Sequence, residues 1–221
     1  APFGVGAAIA VTVGHSGIDI LKNLVILLLT LYVALIAFLL FVLLPIALYV
    51  AKIPIKKFIQ AIREPVSIAF ATTSSDSALP IALENMERFG VPRKIVSFVI
   101  PTGYTFNLDG TTLYLSLASV FVAQAANMHL DFWHQLLIGL SLMLTSKGVA
   151  AVPRASLVIL IATASTFNFP LWPIMAIYGI DELMDMARTS VNVIGNTLAS
   201  TVIARWEGEF DDEKAKNFTE V

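Results

Sequence analysis

Residues 24–51 read LVILLLTLYVALIAFLLFVLLPIALYVA, a run of 28 residues without Asp, Glu, Lys or Arg. A helix of that length extends for roughly 42 Å at 1.5 Å per residue, whereas the hydrocarbon core of a bilayer is about 30 Å thick. The segment therefore predicts a helix that crosses a membrane at a tilt. Pro45 predicts a kink near the end of that helix.

The composition of the whole chain agrees with a membrane protein and argues against a soluble enzyme or a disordered protein. Its 221 residues are 57% hydrophobic and 14% charged, against about 25% charged residues in an ordinary soluble domain. The 14 basic residues do not exceed the 16 acidic ones, so the chain lacks the basic excess that a nucleic-acid partner requires. The absence of cysteine excludes a disulfide framework, a zinc–thiolate site and a cysteine nucleophile.

The other apolar segments are interrupted before they reach membrane-spanning length, with breaks at residues 72–77, 101–103, 107–110 and 145–148. Two hairpins with Ser/Thr-rich tips alternate with a broken helix and a polar-studded helix, a weak repeat of the kind found in transporters built from inverted halves. Non-helical backbone at membrane depth must be buried in protein or line a wet cavity. We therefore predict an all-α membrane protein with transmembrane helices and two re-entrant helical hairpins related by inverted-repeat pseudo-symmetry. The alternative is that the breaks are ordinary helix ends at the membrane surface.

Basic residues predict the orientation of the hairpins. Lys and Arg are concentrated at residues 52–63 and 88–94 and after the last apolar span, and none occurs at residues 128–135. Because cytoplasmic loops carry the excess of Lys and Arg, we expect the first hairpin to open from the cytoplasm and the second from outside. The charged residues 207–221 predict a solvated cytoplasmic tail.

The last apolar span carries polar residues at helical spacing. Asp181, Asp185, Arg188, Asn192 and Asn196 follow one another at intervals of 4, 3, 4 and 4 residues, which places them on one face of a helix. Each charge near the bilayer centre costs about 2.5–3.5 kcal/mol. An isolated Asp185–Arg188 pair could be structural, but this stripe continues into two carboxamides and suits a small zwitterion with an acidic side chain. Arg188 would bind a carboxylate through two N–H groups, Asp185 would accept from an ammonium, and Asn192 would donate to the second carboxylate.

Two further segments carry polar side chains at predicted breaks. Asn107 and Asp109 would add oxygen ligands to backbone carbonyls freed by a break, as hard cations prefer, although the same residues suit a capped helix end. Residues 74–77 precede a helix whose N-terminal N–H groups would attract a carboxylate. Asp76 in this segment would either cap that helix or relay protons.

Four motifs occur in an order that we recognise: Ser74-Ser75, then NLDGT at residues 107–111, SKG at 146–148 and DMARTSVNV at 185–193. The chain resembles the dicarboxylate/amino acid:cation symporters, the glutamate transporter family, and in particular the bacterial proton/glutamate symporters. The resemblance extends over nearly all 221 residues, but family members carry several earlier helices that build a trimeric scaffold. It therefore implies that residues 1–206 are the mobile transport (elevator) domain without its trimerisation scaffold, and that residues 207–221 are a charged cytoplasmic tail.

The resemblance also implies roles for individual residues. Substrate contacts carry over to Ser74, Ser75, Thr111, Val152, Pro153, Ser156, Asp185, Arg188, Thr189 and Asn192. In the family pattern the second tip closes over the substrate as a gate, Arg188 and Thr111 hold the side-chain carboxylate, and Asp185 binds the amino group. Cation or proton coupling carries over to Gly103, Thr105, Asn107, Asp109, Ser146, Asn196 and Asp76.

Departures from the family pattern concern the cation sites. Sodium-coupled members commonly have an aspartate where Asn196 stands, Leu108 replaces a methionine, Val149 replaces a hydroxyl residue, and Lys147 adds a cation to the second tip. All four changes disfavour bound Na⁺, so we expect H⁺ as the coupling ion, with Na⁺ as the alternative, no other cofactor and no certain metal site. The candidate proton carriers are Asp76, Asp109 and Asp185. Arg154, where small residues are usual, receives no role from the sequence.

The resulting hypothesis is a multi-pass protein of the plasma or inner membrane that symports glutamate or aspartate with H⁺, and not an enzyme. The complete protein would be a homotrimer in the lipid bilayer, while this piece alone would be a monomer that binds substrate without transporting it. A C4-dicarboxylate symporter is the nearest alternative, but a substrate without an ammonium would leave Asp185 buried and unpaired. An intramembrane aspartyl protease using Asp109 and Asp185 is disfavoured because Arg188, one turn away, favours an ionised carboxylate over a shared proton. A passive channel is disfavoured because the polar stripe suits tight binding.

Overall fold

The computed structural model describes residues 6–7, 10, 14, 17, 19–128, 131–147 and 154–219, and every regular element within them is helical. The α-helices are, in chain order, α1 Asp19–Phe38, α2 Ile55–Thr72, α3 Ser75–Arg88, α4 Arg93–Phe106, α5 Asp109–Ala125, α6 Phe132–Thr145, α7 Ala155–Thr166, α8 Trp172–Tyr178, α9 Asp181–Trp206 and α10 Asp212–Asn217. The prediction of an all-α protein is confirmed. The re-entrant character and the inverted symmetry of the hairpins stay predictions.

The first helix is the one described helix that is long and apolar enough to cross a membrane. It continues beyond α1 through two π-helical segments, Leu39–Leu43 and Ile46–Val50, and spans 31 residues from Ile20 to Val50. The wider turns lie on either side of Pro45, which has no N–H to donate and whose ring displaces the preceding carbonyls. The helix exposes large apolar side chains such as Phe41 and Tyr49, as a surface that contacts lipid or another protein requires.

The first predicted hairpin consists of α2 and α3. Thr73 turns the chain with a φ of 53°, and Thr73, Ser74 and Ser75 at the tip are buried. The arms are joined by Asn85, whose Nδ2 donates to the Ala61 carbonyl at 3.0 Å. The second hairpin consists of α6 and α7, and residues 148–153 of its tip lie outside the described part of the chain.

One predicted boundary differs from the structure. The expected break at residues 101–103 is wrong, because α4 continues through Pro101 and the chain leaves the helix only at residues 107–108. The last apolar span is divided at residues 179–180 into α8 and α9. Proline is tolerated inside apolar helices where neighbouring elements satisfy the freed carbonyls.

The charged tail predicted for residues 207–221 is mostly exposed where the structure describes it, but three of its apolar residues are packed. Phe210, Ala215 and Phe218 are buried, and the rings of Phe210 and Phe218 lie 5.8 and 6.0 Å from the ring of Phe89 at the end of α3. The Asp211 amide donates to the Gly90 carbonyl at 3.0 Å. The charges of this segment face outward while its aromatic residues pack on the first hairpin.

Two apolar cores meet along α9. The C-terminal half of α9, through Val193, Leu198 and Val202, packs with the first hairpin and α4. Its N-terminal half, through Met184 and Val191, packs with α1, α5, α7 and α8. The polar face of α9 therefore lies inside the protein, between the two hairpins.

Candidate functional site

The polar stripe predicted on the last span is buried. Asp181, Asp185, Arg188, Asn192 and Asn196 all belong to α9, and none is more than 4% exposed. Buried charges and amides require partners. The contacts of these five side chains therefore define the site.

A buried ion cluster occupies the first two turns of α9. Arg188 Nε donates to Asp185 Oδ1 at 2.9 Å, and Nη1 donates to Asp181 Oδ1 at 3.3 Å. The guanidinium carbon lies 4.1 Å from the centre of the Tyr114 ring on α5, within the range of a cation–π contact. Two carboxylates thus share one guanidinium, and we call these three residues the Asp181–Arg188–Asp185 cluster.

Asp185 has donors at both carboxylate oxygens. Its Oδ1 accepts from Arg188 and from Thr189 Oγ1 at 2.7 Å, and its Oδ2 accepts from the backbone N–H of Arg154 at 2.9 Å. The last contact brings the described edge of the second tip onto α9. The residue predicted to bind an ammonium therefore contacts the described edge of the second tip.

The side chain of Arg154 explains why a large residue stands at this tip. Its Nε and Nη2 donate to Glu182 Oε2 at 3.2 and 2.9 Å, and its guanidinium carbon lies 4.7 Å from the centre of the Tyr178 ring. Its φ of 63° turns the chain so that its amide reaches Asp185. Arg154 thereby fastens the start of α7 to the start of α9.

The rest of the second tip is only partly described. Val152 and Pro153, predicted to contact substrate, lie outside the described residues. Ser156 is buried on α7, and its hydroxyl has no hydrogen-bond partner among the residues that the structure describes. A buried hydroxyl without a partner is available to a bound ligand.

Asn192 holds the start of α5 from the opposite helix. Its Oδ1 accepts from the amides of Gly110 and Thr111 at 2.8 and 3.4 Å, and its Nδ2 donates to Thr111 Oγ1 at 3.0 Å. Leu108 stands at the N-cap of α5 and makes no side-chain cap. The free N–H groups of the broken helix are therefore satisfied by a residue from α9.

Asn196 holds the other side of the break. Its Nδ2 donates to the carbonyls of Asn107 and Asn192 at 3.0 and 2.9 Å, and its Oδ1 accepts from Asn107 Nδ2 at 3.2 Å. Gly103 packs directly against this amide, since a Cβ there would lie 1.9 Å from Asn196 Oδ1. The structure thus brings together Gly103, Asn107, Asn192 and Asn196.

The side-chain nitrogen of Asn196 contacts the carbonyl oxygens of Asn107 and Asn192, which would be ligands of a cation bound between them. Both oxygens accept N–H groups in the structure. A bound cation would have to displace that amide.

The other predicted coupling residues lie in different surroundings. Asp109 is half-buried beside Gly195, where a Cβ would lie 2.5 Å from Asp109 Oδ2, and Lys147 at the second tip acts on it electrostatically. Ser146 is buried and Thr105 is partly buried. Asp76 is exposed in the first turn of α3 and does not occupy the cap position, which belongs to Ser74.

Asp181 and Tyr114 are two residues of the site for which the sequence predicted no individual role. Asp181 was expected only as a member of the stripe, and Tyr114 was not expected at all. Tyr114 stands four residues after Gly110 on α5, so helical spacing alone places it on the face that meets α9. This spacing could have indicated Tyr114, but only if α9 had been known to be the neighbouring helix.

Residues 1–206 match the model of the sodium:dicarboxylate symporter family. The chain is 49% identical over 216 residues to a proton/sodium-glutamate symport protein of Bacillus subtilis strain 168, an overlap of 98% of the chain and 50% of that relative. It is 45% identical over 215 residues to a proton/glutamate-aspartate symporter of Escherichia coli K12, covering 97% and 49%.

A third relative bears a different substrate in its name. The chain is 43% identical over 217 residues to a C4-dicarboxylate transport protein of Erwinia tasmaniensis, covering 98% of the chain and 51% of the relative. The chain spans about half the length of the curated relatives it matches.

Proposed function

Because the chain belongs to the sodium:dicarboxylate symporter family, we propose that it is the transport domain of a secondary active symporter for glutamate or aspartate, coupled to H⁺ rather than Na⁺. The observation that carries the proposal is the buried Asp185–Arg188 pair with Thr189 and Asn192 on the same face of α9. An anion and a cation 2.9 Å apart match the ammonium and a carboxylate of one small zwitterion. Members of the family are transporters, and relatives named for glutamate symport support the substrate class.

The contacts of Asp185 favour an amino acid over a C4-dicarboxylate. Its Oδ2 accepts the backbone N–H of Arg154 at 2.9 Å. A substrate ammonium would take the place of that N–H and release the tip, whereas a dicarboxylate would offer no donor and would add a like charge. The amino group of the substrate would thus bind Asp185 in place of the Arg154 backbone N–H and so release the second tip.

Asp185→Ser is expected to weaken glutamate and aspartate binding about 100-fold, because the ammonium loses a buried, charge-assisted partner worth about 2–3 kcal/mol. Succinate binding should change by less than about tenfold. Calorimetric titration of the complete natural protein in detergent measures both. Asp131→Ser is the matched control, since Asp131 is exposed and serine keeps its capping role at the start of α6. Equal losses for amino acid and dicarboxylate would rule out this role for Asp185.

We also infer a multi-pass protein of the cell membrane, with this chain as the mobile domain of a homotrimer. The exposed apolar face of the 31-residue helix supports contact with lipid or with scaffold. About half of each relative's length lies outside the match, which leaves room for such a scaffold. The chain alone would then bind substrate without completing transport.

Preference for H⁺ over Na⁺ rests on Asn196. Its amide donates both N–H groups to backbone carbonyls that would otherwise serve a cation, and it carries no charge to balance one. An ion at this place would lose one formal counter-charge and gain a competing donor. The Asn196 amide therefore gives the carbonyl oxygens of Asn107 and Asn192 the positive partner that a bound cation would otherwise give them.

Asn196→Asp is expected to make uptake depend on Na⁺. A carboxylate cannot donate to the Asn107 and Asn192 carbonyls, so three oxygen-bearing groups face one another and need a cation between them. We expect uptake in proteoliposomes to fall without Na⁺ and to recover about tenfold when Na⁺ is added, whereas the wild type does not respond. Asn217→Asp, at an exposed position, is the matched control. Strong stimulation of the wild type by Na⁺ would refute H⁺ coupling.

A further inference from the structure

We propose that Asp181 is the residue that takes up the coupling proton, and that it does so when the substrate carboxylate draws Arg188 away from it. This inference rests on the proposed function and names the coupling site within it. Asp181 is the first residue of α9 and is fully buried. It is not among the coupling residues that the family resemblance supplies.

The charges of the Asp181–Arg188–Asp185 cluster do not balance. Two carboxylates share one guanidinium, and all three side chains are at most 6% exposed. With both carboxylates ionised, the cluster carries one excess negative charge. An acidic amino acid, with two carboxylates and one ammonium, adds another, and burying that charge without a cation is unfavourable. One proton per substrate offsets the increase.

Asp181 is the carboxylate of the cluster with a free oxygen. Its Oδ2 has no hydrogen-bond partner of standard geometry among the described residues, and neither has the hydroxyl of Tyr114 on α5. That hydroxyl nevertheless lies close enough to Asp181 to act on it as a hydrogen-bond donor. Both side chains are at most 1% exposed. An orphaned buried oxygen indicates a missing ligand. A proton on Oδ2 would neutralise the carboxylate and give it a donor to the Tyr114 oxygen.

Asp185 is the wrong carboxylate for this task. It accepts from Arg188, Thr189 and the Arg154 amide at 2.7–2.9 Å, so both of its oxygens already have hydrogen-bond donors. Asp181 has one contact to Arg188 at 3.3 Å. The charged and titratable groups that act on Asp181 are Arg188 and Asp185 on its own helix, Tyr114 from α5 and Arg154 from the second tip.

These contacts give a mechanism for coupling. The substrate carboxylate and Asp181 compete for the same guanidinium. When Arg188 turns to the substrate, Asp181 loses its nearest cation and accepts a proton from water on Oδ2. When the substrate leaves, Arg188 returns and the proton is released. No other bond forms or breaks, so one proton accompanies each substrate.

The test measures the Kd of glutamate against pH on the complete natural protein. If binding takes up one proton, the Kd rises about tenfold per pH unit above the pKa of the free site. We expect Asp181→Asn to abolish this slope and the proton-driven accumulation of glutamate. Glu207→Gln, an exposed change at the other end of α9, should keep the wild-type slope.

Asp181→Glu keeps the inference testable if the asparagine variant does not fold. Because the titrating group itself changes, the pH midpoint of the slope should move. A full slope in Asp181→Asn, or an unchanged midpoint in Asp181→Glu, overturns the inference and leaves the symport proposal standing. Failure of the wild type to bind any acidic amino acid would instead overturn the proposed function.

Discussion

Arg188→Cys is expected to reduce glutamate and aspartate affinity by about 100- to 1,000-fold, because two charge-assisted hydrogen bonds to a buried carboxylate are worth about 3–5 kcal/mol together. Affinity for small neutral amino acids should rise relative to glutamate, since the cysteine leaves space where the guanidinium stood. Calorimetric titration with glutamate, aspartate and serine measures the change. Arg93→Cys, at an exposed residue at the start of α4, is the matched control.

The same substitution should destabilise the protein by about 3–5 kcal/mol, because Asp181 and Asp185 lose their shared cation while staying buried. Adding Asp181→Asn to Arg188→Cys should restore much of the thermal stability without restoring glutamate binding. That double variant separates folding from recognition. Retained glutamate affinity in any folded Arg188→Cys protein would refute the role of the guanidinium.

Gly110→Ala should give the second large effect. A Cβ at Gly110 would lie 2.3 Å from the Arg188 carbonyl oxygen and 2.9 Å from its Cα. Backbone atoms cannot move aside as a side chain can, so α5 and α9 must separate. We expect a loss of about 1–3 kcal/mol in stability and a loss of glutamate binding, because Asn192 can no longer reach the amides of Gly110 and Thr111.

Gly139→Ala is the control for that experiment. Gly139 lies within α6, and among the described residues no atom outside its own stretch of helix backbone lies within 4 Å of the position its Cβ would take. Alanine there should leave binding unchanged and stabilise the helix by up to about 1 kcal/mol. Equal thermal shifts for the two alanine variants would contradict the close contact between α5 and α9.

The sequence was sufficient for the features that depend on spacing within one helix. The uncharged run at residues 24–51 predicted the long apolar helix, and the intervals of 3 and 4 predicted the stripe from Asp181 to Asn196. Burial of that stripe followed from the cost of exposing charges to lipid. Such features need no knowledge of which helices are neighbours.

Features that depend on contacts between distant residues could not be predicted. Arg154 and Asp185 are 31 residues apart in sequence, and Asn192 and Gly110 are 82 apart. Nothing local to Arg154 indicates that its amide caps a carboxylate on another helix. The hydrogen bond from the Arg188 guanidinium to Asp181 likewise depends on how the side chains are arranged in the folded protein.

The remaining differences come from signals with two physical meanings. Pro101 was taken to end a helix, yet it lies within α4. Charges after residue 206 were taken to mean solvation, yet Phe210 and Phe218 alternate with them and pack on Phe89. Proline and charge report local preference, and tertiary packing overrides both.

The division of the apolar interior into two cores along α9 bears on cooperativity. The first hairpin packs directly on α9, whereas the second hairpin packs mainly on α5 and α8 and shares an apolar core with the N-terminal half of α9. If the contact between Arg154 and Glu182 breaks, the second tip therefore loosens while the first hairpin keeps most of its contacts. An opening of the second tip is therefore compatible with an unchanged packing of the first hairpin on α9.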